Sequence, residues 1–328
     1  LSPAIADGRE LAQRLREGDL TAAPAVLNLV ENRAAQARAQ TEALLSALGT
    51  ELPAHVIGIT GPPGVGKSSL LSRLVAGWRA RERAVAVLAV DPTSRRSGGA
   101  LLGDRARIDV DPRDRRVFIR STAAGERLGG LAPATRAAAT ALAAAFDVVV
   151  IETVGVGQSE TEVADVADTV AVVVQPGAGD VLQFLKAGIM EVPDVLVVTK
   201  ADLGRVAGRS AADLRAALRA LGVTETPVIA VSSIAPPAGI TELVDALDAH
   251  REALDLDARR LRARRSHALA DFVAEHGERG LRALGGRRAA DAWLAERPAQ
   301  ESVPALLRGL EARAAEAGAA EASSNPAQ

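Results

Sequence analysis

Eight consecutive residues carry the clearest chemistry in this chain. GPPGVGKS, Gly61 to Ser68, fits G-x-x-x-x-G-K-[ST]. Gly61, Gly64 and Gly66, with Pro62, Pro63 and Val65 between them, let the backbone curl so that its N–H groups face phosphate oxygens. A helix opening at Lys67, Ser68 and Ser69 adds the favourable field of its N-terminus. Lys67 then reaches the β- and γ-phosphates, and the Ser68 hydroxyl is placed to ligate Mg²⁺.

Three acids follow at places suited to that ion. Asp91 closes the apolar run AVAVLAV, and Asp104 lies in the glycine-containing loop that continues from it. Both are metal candidates, directly or through water. Asp91 before Pro92 also suits the start of a turn. Glu152 ends the run VVVI, where a carboxylate holds Mg²⁺ or its water. Gly155 and Gly157 suit close approach to a γ-phosphate and movement when it leaves. Gln158 is a candidate for orienting the attacking water, and it equally suits a loop or partner contact.

A base-selecting element comes later. TKAD, Thr199 to Asp202, follows another apolar run, where GTPases use N-K-x-D. The carboxylate of Asp202 accepts from guanine N1 and N2; adenine offers no such pair. The stem of Lys200 covers the base, and Thr199 stands in place of Asn. Ser232, Ser233 and Ile234 follow the next run, where a loop meets guanine O6. The chain has only three lysines, at 67, 186 and 200. Lys186, with Asp180 and Gln183, belongs to a contact network or partner surface, or to an ordinary amphipathic helix.

These groups need a scaffold. HVIGIT, AVAVLAV, DVVVI, TVAVVV, VLVVT and TPVIAVS are continuously apolar and alternate with helical stretches. That pattern predicts an α/β fold, a mostly parallel central sheet covered by helices on both faces. Residues 1–52 read as an N-terminal helical extension, two helices parted at Gly18 and Asp19. Residues 53–248 read as the nucleotide-binding domain, 249–318 as a C-terminal helical arm, and 319–328 as a disordered tail.

Composition excludes several classes. The 328 residues carry no cysteine, so disulfide scaffolds and thiolate metal sites are out. The net charge of −2 argues against a dedicated nucleic-acid binder. The four histidines form no metal motif. His250 lies in D-x-H-x-x-A, which lacks the closing glycine of a cobalamin-binding loop. No apolar stretch is long enough to span a membrane and no signal-peptide pattern is present, so a cytoplasmic setting is expected.

GPPGVGKSSL, AVDPTSRRSGGALLGDRARI, FIRS, ETVGVGQSE and LKAGIMEVPDVLVVTKAD, taken in order, resemble the MeaB/MMAA (ArgK-like) family of P-loop GTPases. These are G-protein chaperones of adenosylcobalamin-dependent acyl-CoA mutases such as methylmalonyl-CoA mutase. The resemblance covers about residues 5 to 300. It implies GTP and Mg²⁺ as ligands, Asp104 in a first switch, Glu152 to Glu160 as a second, and residues 177 to about 190 as a third that communicates with the mutase. It also implies a homodimer helped by the C-terminal arm. Thr199, Val181 and the loop SSIAPPAG depart from the family pattern.

The mechanism this implies is Mg²⁺-dependent attack of water on the γ-phosphate, with switch loops released afterwards. Arg105, Arg107 and Arg120 are candidates for a charge-stabilising arginine. A small-molecule P-loop kinase, the old ArgK-type reading, would leave TKAD unexplained. A metallocentre-assembly GTPase would want a Cys/His cluster. A structural partner whose nucleotide only orders the fold would show no turnover.

Overall fold

A computed structural model of the protein describes residues 5–91, 108–123, 131–153, 159–177 and 193–324. The N-terminal part is α1 (Gly8–Arg16), α2 (Ala23–Glu31) and α3 (Ala35–Leu48). The second expected helix is thus two. It breaks at Asn32, whose backbone is extended and whose side-chain carbonyl accepts from Ala34 N–H at 3.0 Å. Asparagine bonding its own backbone competes with the helix.

Seven strands follow among the described residues: β1 (His55–Thr60), β2 (Val85–Asp91), β3 (Val117–Ala123), β4 (Val148–Glu152), β5 (Thr169–Val174), β6 (Val195–Val198) and β7 (Val228–Ala230). They form one parallel sheet in the order β3-β2-β4-β1-β5-β6-β7. The expected α/β architecture is therefore present. β3 was not foreseen as a strand. Its VFIRSTA mixes arginine and two hydroxyls into an edge position, where one side needs no continuous apolar run.

Helices α4 (Lys67–Ala80), α5 (Pro133–Leu142), α6 (Ser159–Val166), α7 (Arg205–Ala220) and α8 (Ile240–Ala253) cover the sheet. Alternation along the strands sorts the core into two layers. Ile57, Ile59, Val148 and Val150 face α4 and α8, with Trp78 fully buried there. Val149, Ile151, Val170 and Val172 face α2, α5, α6 and α7.

The C-terminal part is α9 (Leu256–Ala283), bent at Gly277, then α10 (Arg287–Ala295) and α11 (Val303–Ser324). The last helix runs to Ser324, into the segment 319–328 expected as a tail. These helices share a core of their own, with Leu269, Phe272, Leu294 and Leu310 buried. They are also fastened to the sheet. Arg260 donates to both oxygens of Asp168 at 2.9 and 2.7 Å and to the carbonyls of Leu52 and Ala54 at 2.5 and 2.7 Å. One guanidinium so joins the arm, the start of β5 and the chain entering β1.

Among the described residues, no helix is long and apolar enough to cross a membrane.

Candidate functional site

The site forms where β1 turns into α4. Gly61 leaves β1 with φ 141°, and a Cβ there would lie 2.1 Å from the Val173 carbonyl oxygen on β5. Only glycine allows that approach. Gly66 closes the loop in the left-handed region (φ 99°), so that Lys67 begins the helix. Lys67 is buried, and its ammonium donates to the carbonyls of Gly61 at 2.7 Å and Pro62 at 3.2 Å. The loop thus closes over its own lysine. Pro63, Gly64 and Ser69 are exposed around it.

Glu152 is brought to this loop by the sheet, not by sequence. β4 lies beside β1, with Ile59 opposite Glu152. The carboxylate is buried, and Ser68 Oγ donates to its Oε1 at 3.1 Å. A hydroxyl and a carboxylate oxygen converging at a helix N-terminus are a hard-oxygen donor pair, the set that suits Mg²⁺. Beneath them Thr153 Oγ1 donates to Thr60 Oγ1 at 2.8 Å, tying the ends of β4 and β1 together. Asp91 ends β2, the other neighbour of β4, at the same carboxyl end of the sheet, two residues beyond Ala89, which lies opposite Glu152. Asp104 and Gln158 lie outside the described residues, as do Gly155, Gly157, Lys186, Arg105 and Arg107.

The loops expected to select the base meet the phosphate loop from the other side. Thr199 is buried, and its hydroxyl lies 2.7 Å from the Val65 carbonyl and 3.1 Å from that of Val174. A threonine hydroxyl has one proton. It is spent inside the protein, tying the TKAD turn to the phosphate loop, and none is left for a base. Lys200 sits in the left-handed region with φ 56° and bonds Gln175 Oε1. Asp202 is exposed, and Ser232 Oγ donates to its Oδ1 at 2.8 Å. Ile234 N–H is 3.3 Å from the same Ser232 hydroxyl. Ser232 therefore orients the carboxylate expected to read guanine.

Arg73 was missed by sequence reasoning. It lies on α4, and its Nε donates to the Ser233 carbonyl at 2.9 Å, holding the second base loop against the phosphate helix. Its one sequence signal is its place on the helix after Lys67, and arginine is common throughout this chain. Arg120, a candidate charge-stabilising arginine, is placed elsewhere. It projects from β3 to Glu31 at 2.6 Å and Asn28 at 3.2 Å, fixing α2 to the sheet edge. His250 is structural too. Its Nδ1 meets Thr169 Oγ1 at 2.9 Å and its Nε2 meets Asp194 at 3.2 Å, while Thr169 also meets His55 at 2.7 Å.

A phosphate loop on β1, an acid ending the adjacent strand and a TKAD turn beside them, on a parallel sheet, define a P-loop GTPase. The chain belongs to the MeaB family: the family described as methylmalonyl Co-A mutase-associated GTPase MeaB matches residues 23–281. It is 42% identical over 268 residues to a protein named as a probable GTPase of Mycobacterium tuberculosis, covering 76% of this chain and 78% of that one. It is 36% identical over 274 residues to a mitochondrial methylmalonic aciduria type A homolog of Caenorhabditis elegans, covering 77% and 69%. Among solved structures, it resembles one described as a LAO/AO transport system kinase, with TM-score 0.63, 26% identity, and 88% and 96% of the two chains covered.

Proposed function

We propose that this GTPase acts as a conformational switch that chaperones an adenosylcobalamin-dependent acyl-CoA mutase, methylmalonyl-CoA mutase or a related one. It gates cofactor loading and protects the mutase from inactivation. The observation that carries the reading is the family match over residues 23–281, together with the phosphate and base loops found joined in one site. In this reading residues 53–248 are the GTPase unit and 249–318 the arm that supports a homodimer, in a cytoplasmic setting.

Gly61 to Ser69 bind the phosphates through backbone N–H groups. Lys67 exchanges the Gly61 and Pro62 carbonyls for β- and γ-phosphate oxygens. Ser68 and Glu152 would hold Mg²⁺, with Asp91 and Asp104 as further candidate ligands, directly or through water. When bound, the ion offsets charge on the β- and γ-phosphates. Thr199 and Lys200 shape the base pocket, Asp202 selects guanine, and Ser232, Ser233 and Ile234 line its O6 side. Gln158 orients water.

Phosphate release is measured with and without a mutase, alongside pull-down on a non-hydrolysable GTP analogue. Lys67→Ala is expected to reduce GTP turnover at least about a hundredfold, the scale of losing one charge-stabilising donor. Unchanged turnover in that variant refutes the catalytic assignment. Recovery of clients that never include an acyl-CoA mutase refutes the chaperone reading. Phosphoryl transfer to an amino acid in place of water would instead favour a kinase.

A further inference from the structure

A second site lies away from the nucleotide loops. On α9, Arg260, Arg264, His267 and Asp271 are spaced four, three and four residues apart, which puts them on one face. Such a stripe normally faces water. Here it lines a cavity of about 110 Å³ between α9, α3, α5 and the start of α11. Leu45, Leu52, Val56, Val166 and Val303 supply apolar wall.

The charges there are unequally matched. Asp168 is bound by Arg260 and Asp271 by Arg136. Arg264 donates from Nη2 to the Ala299 carbonyl at 2.7 Å and pairs with no carboxylate among the described residues. Among the residues that line the cavity, Arg136, Arg260 and Arg264 exceed Asp168 and Asp271 by one positive charge, and Asp257, outside the lining, also acts on Arg264. Two polar atoms of the stripe, Arg264 Nε and His267 Nε2, are buried and have no hydrogen-bond partner among the described residues. His267 is 8% exposed, and burial, with Arg136 adding to it, pushes its imidazole down to about 3. The ring is therefore neutral near pH 7. It bonds the backbone of Asp165, which leaves Nε2 as an acceptor. Buried polar atoms without partners are costly, and two on residues that line one cavity point to a ligand that supplies them.

We propose that this cavity binds a small aliphatic hydroxy acid. Its carboxylate meets Arg264, its hydroxyl donates to His267 Nε2, and its short chain lies on the apolar wall. A monoanion matches the one-charge excess of the lining, and a dianion would exceed it. A cavity near 150 Å³ accepts benzene, so about 110 Å³ suits a chain of roughly four or five carbons. The ligand would bridge the N-terminal helices, the sheet and the C-terminal arm. The site stands apart from GTP chemistry and does not depend on it.

The test is calorimetry and saturation-transfer NMR on the full chain with 3-hydroxybutanoate, compared with butanoate and butanol. Saturable binding of 3-hydroxybutanoate is expected, weaker for butanoate and absent for butanol. Arg264→Gln should weaken it about tenfold or more, the scale of one charge-assisted bond. His267→Phe should erase the preference for the hydroxylated acid. GDP affinity, read in parallel, reports that each variant is folded. No saturable binding by the wild type, equal binding of butanol, or binding unchanged in folded Arg264→Gln would each overturn the proposal. Should Arg264→Gln fail to fold, the wild-type comparison of 3-hydroxybutanoate with butanol still decides it.

Discussion

Thr199→Val is the most informative single change, because it removes a bond and leaves the shape. Thr199 is 4% exposed, and valine has nearly its volume, so no cavity opens. The hydroxyl proton serves Val65 O at 2.7 Å or Val174 O at 3.1 Å. Val174 O keeps a second donor, the Thr199 N–H at 2.9 Å, so the loss falls on Val65 O. Val65 is itself 2% exposed, so water does not readily replace the bond. A lost bond that strands a buried carbonyl costs about 1–3 kcal/mol. For a chain of this size that is a drop of roughly 1.5–4.5 °C in Tm. Because Val65 lies in the phosphate loop, nucleotide affinity should fall together with stability. Thr199→Ser keeps the hydroxyl and should retain most of both. Guanidinium denaturation without nucleotide and titration with a fluorescent GDP read the two effects separately. Stability within about 0.5 kcal/mol of wild type, with unchanged GDP affinity, would refute the coupling of base turn to phosphate loop.

Other expectations follow from the same contacts. If Asp202 reads guanine as proposed, Asp202→Asn removes the paired acceptor for N1 and N2 and should cut the preference for GTP over ATP by at least about tenfold in competition binding; an unaltered preference would move base selection elsewhere. Arg260→Met strands the carboxylate of Asp168, whose side chain is 2% exposed. The expected cost is about 3–5 kcal/mol in denaturant unfolding, and a loss under about 1 kcal/mol would mean the arm is held by its apolar contacts alone. Burial pushes His55 down to about 4, against the opposing charge of Asp168. The unfolded chain then takes up a proton at higher pH than the folded one. Its contribution to stability is intact above about 6.5 and is lost as pH falls toward 4, by up to about 3 kcal/mol. His55→Gln should flatten that part of the pH–stability curve, and an equally steep curve would assign the acid sensitivity to other groups.

The parts of the site that were legible in the sequence are those made by backbone conformation and strand ends. GPPGVGKS shapes its own loop, and Asp91 and Glu152 end apolar runs that belong on adjacent parallel strands. What joins the loops was not legible. Thr199 to Val65, Arg73 to Ser233 and Ser232 to Asp202 are contacts between segments brought near by the order of the strands. In a chain so rich in arginine, Arg73 and Arg120 look alike, yet one holds a base loop and the other a helix at the sheet edge.

The stripe on α9 shows the deeper reason. A charged face and a buried polar face have the same 3.6-residue period, so spacing alone cannot tell inward from outward. What decides it is the surface opposite. Across the cavity α5 offers Ala137, Ala139 and Thr140, and Ala143 follows it. These side chains are too short to fill the gap, and long arginines reach into it from α9. A run of small residues on one helix paired with long polar residues at i, i+4, i+7 and i+11 on another is a signal that exists in the sequence, but it belongs to two segments more than a hundred residues apart. It becomes readable only once the sheet has fixed which helices face each other.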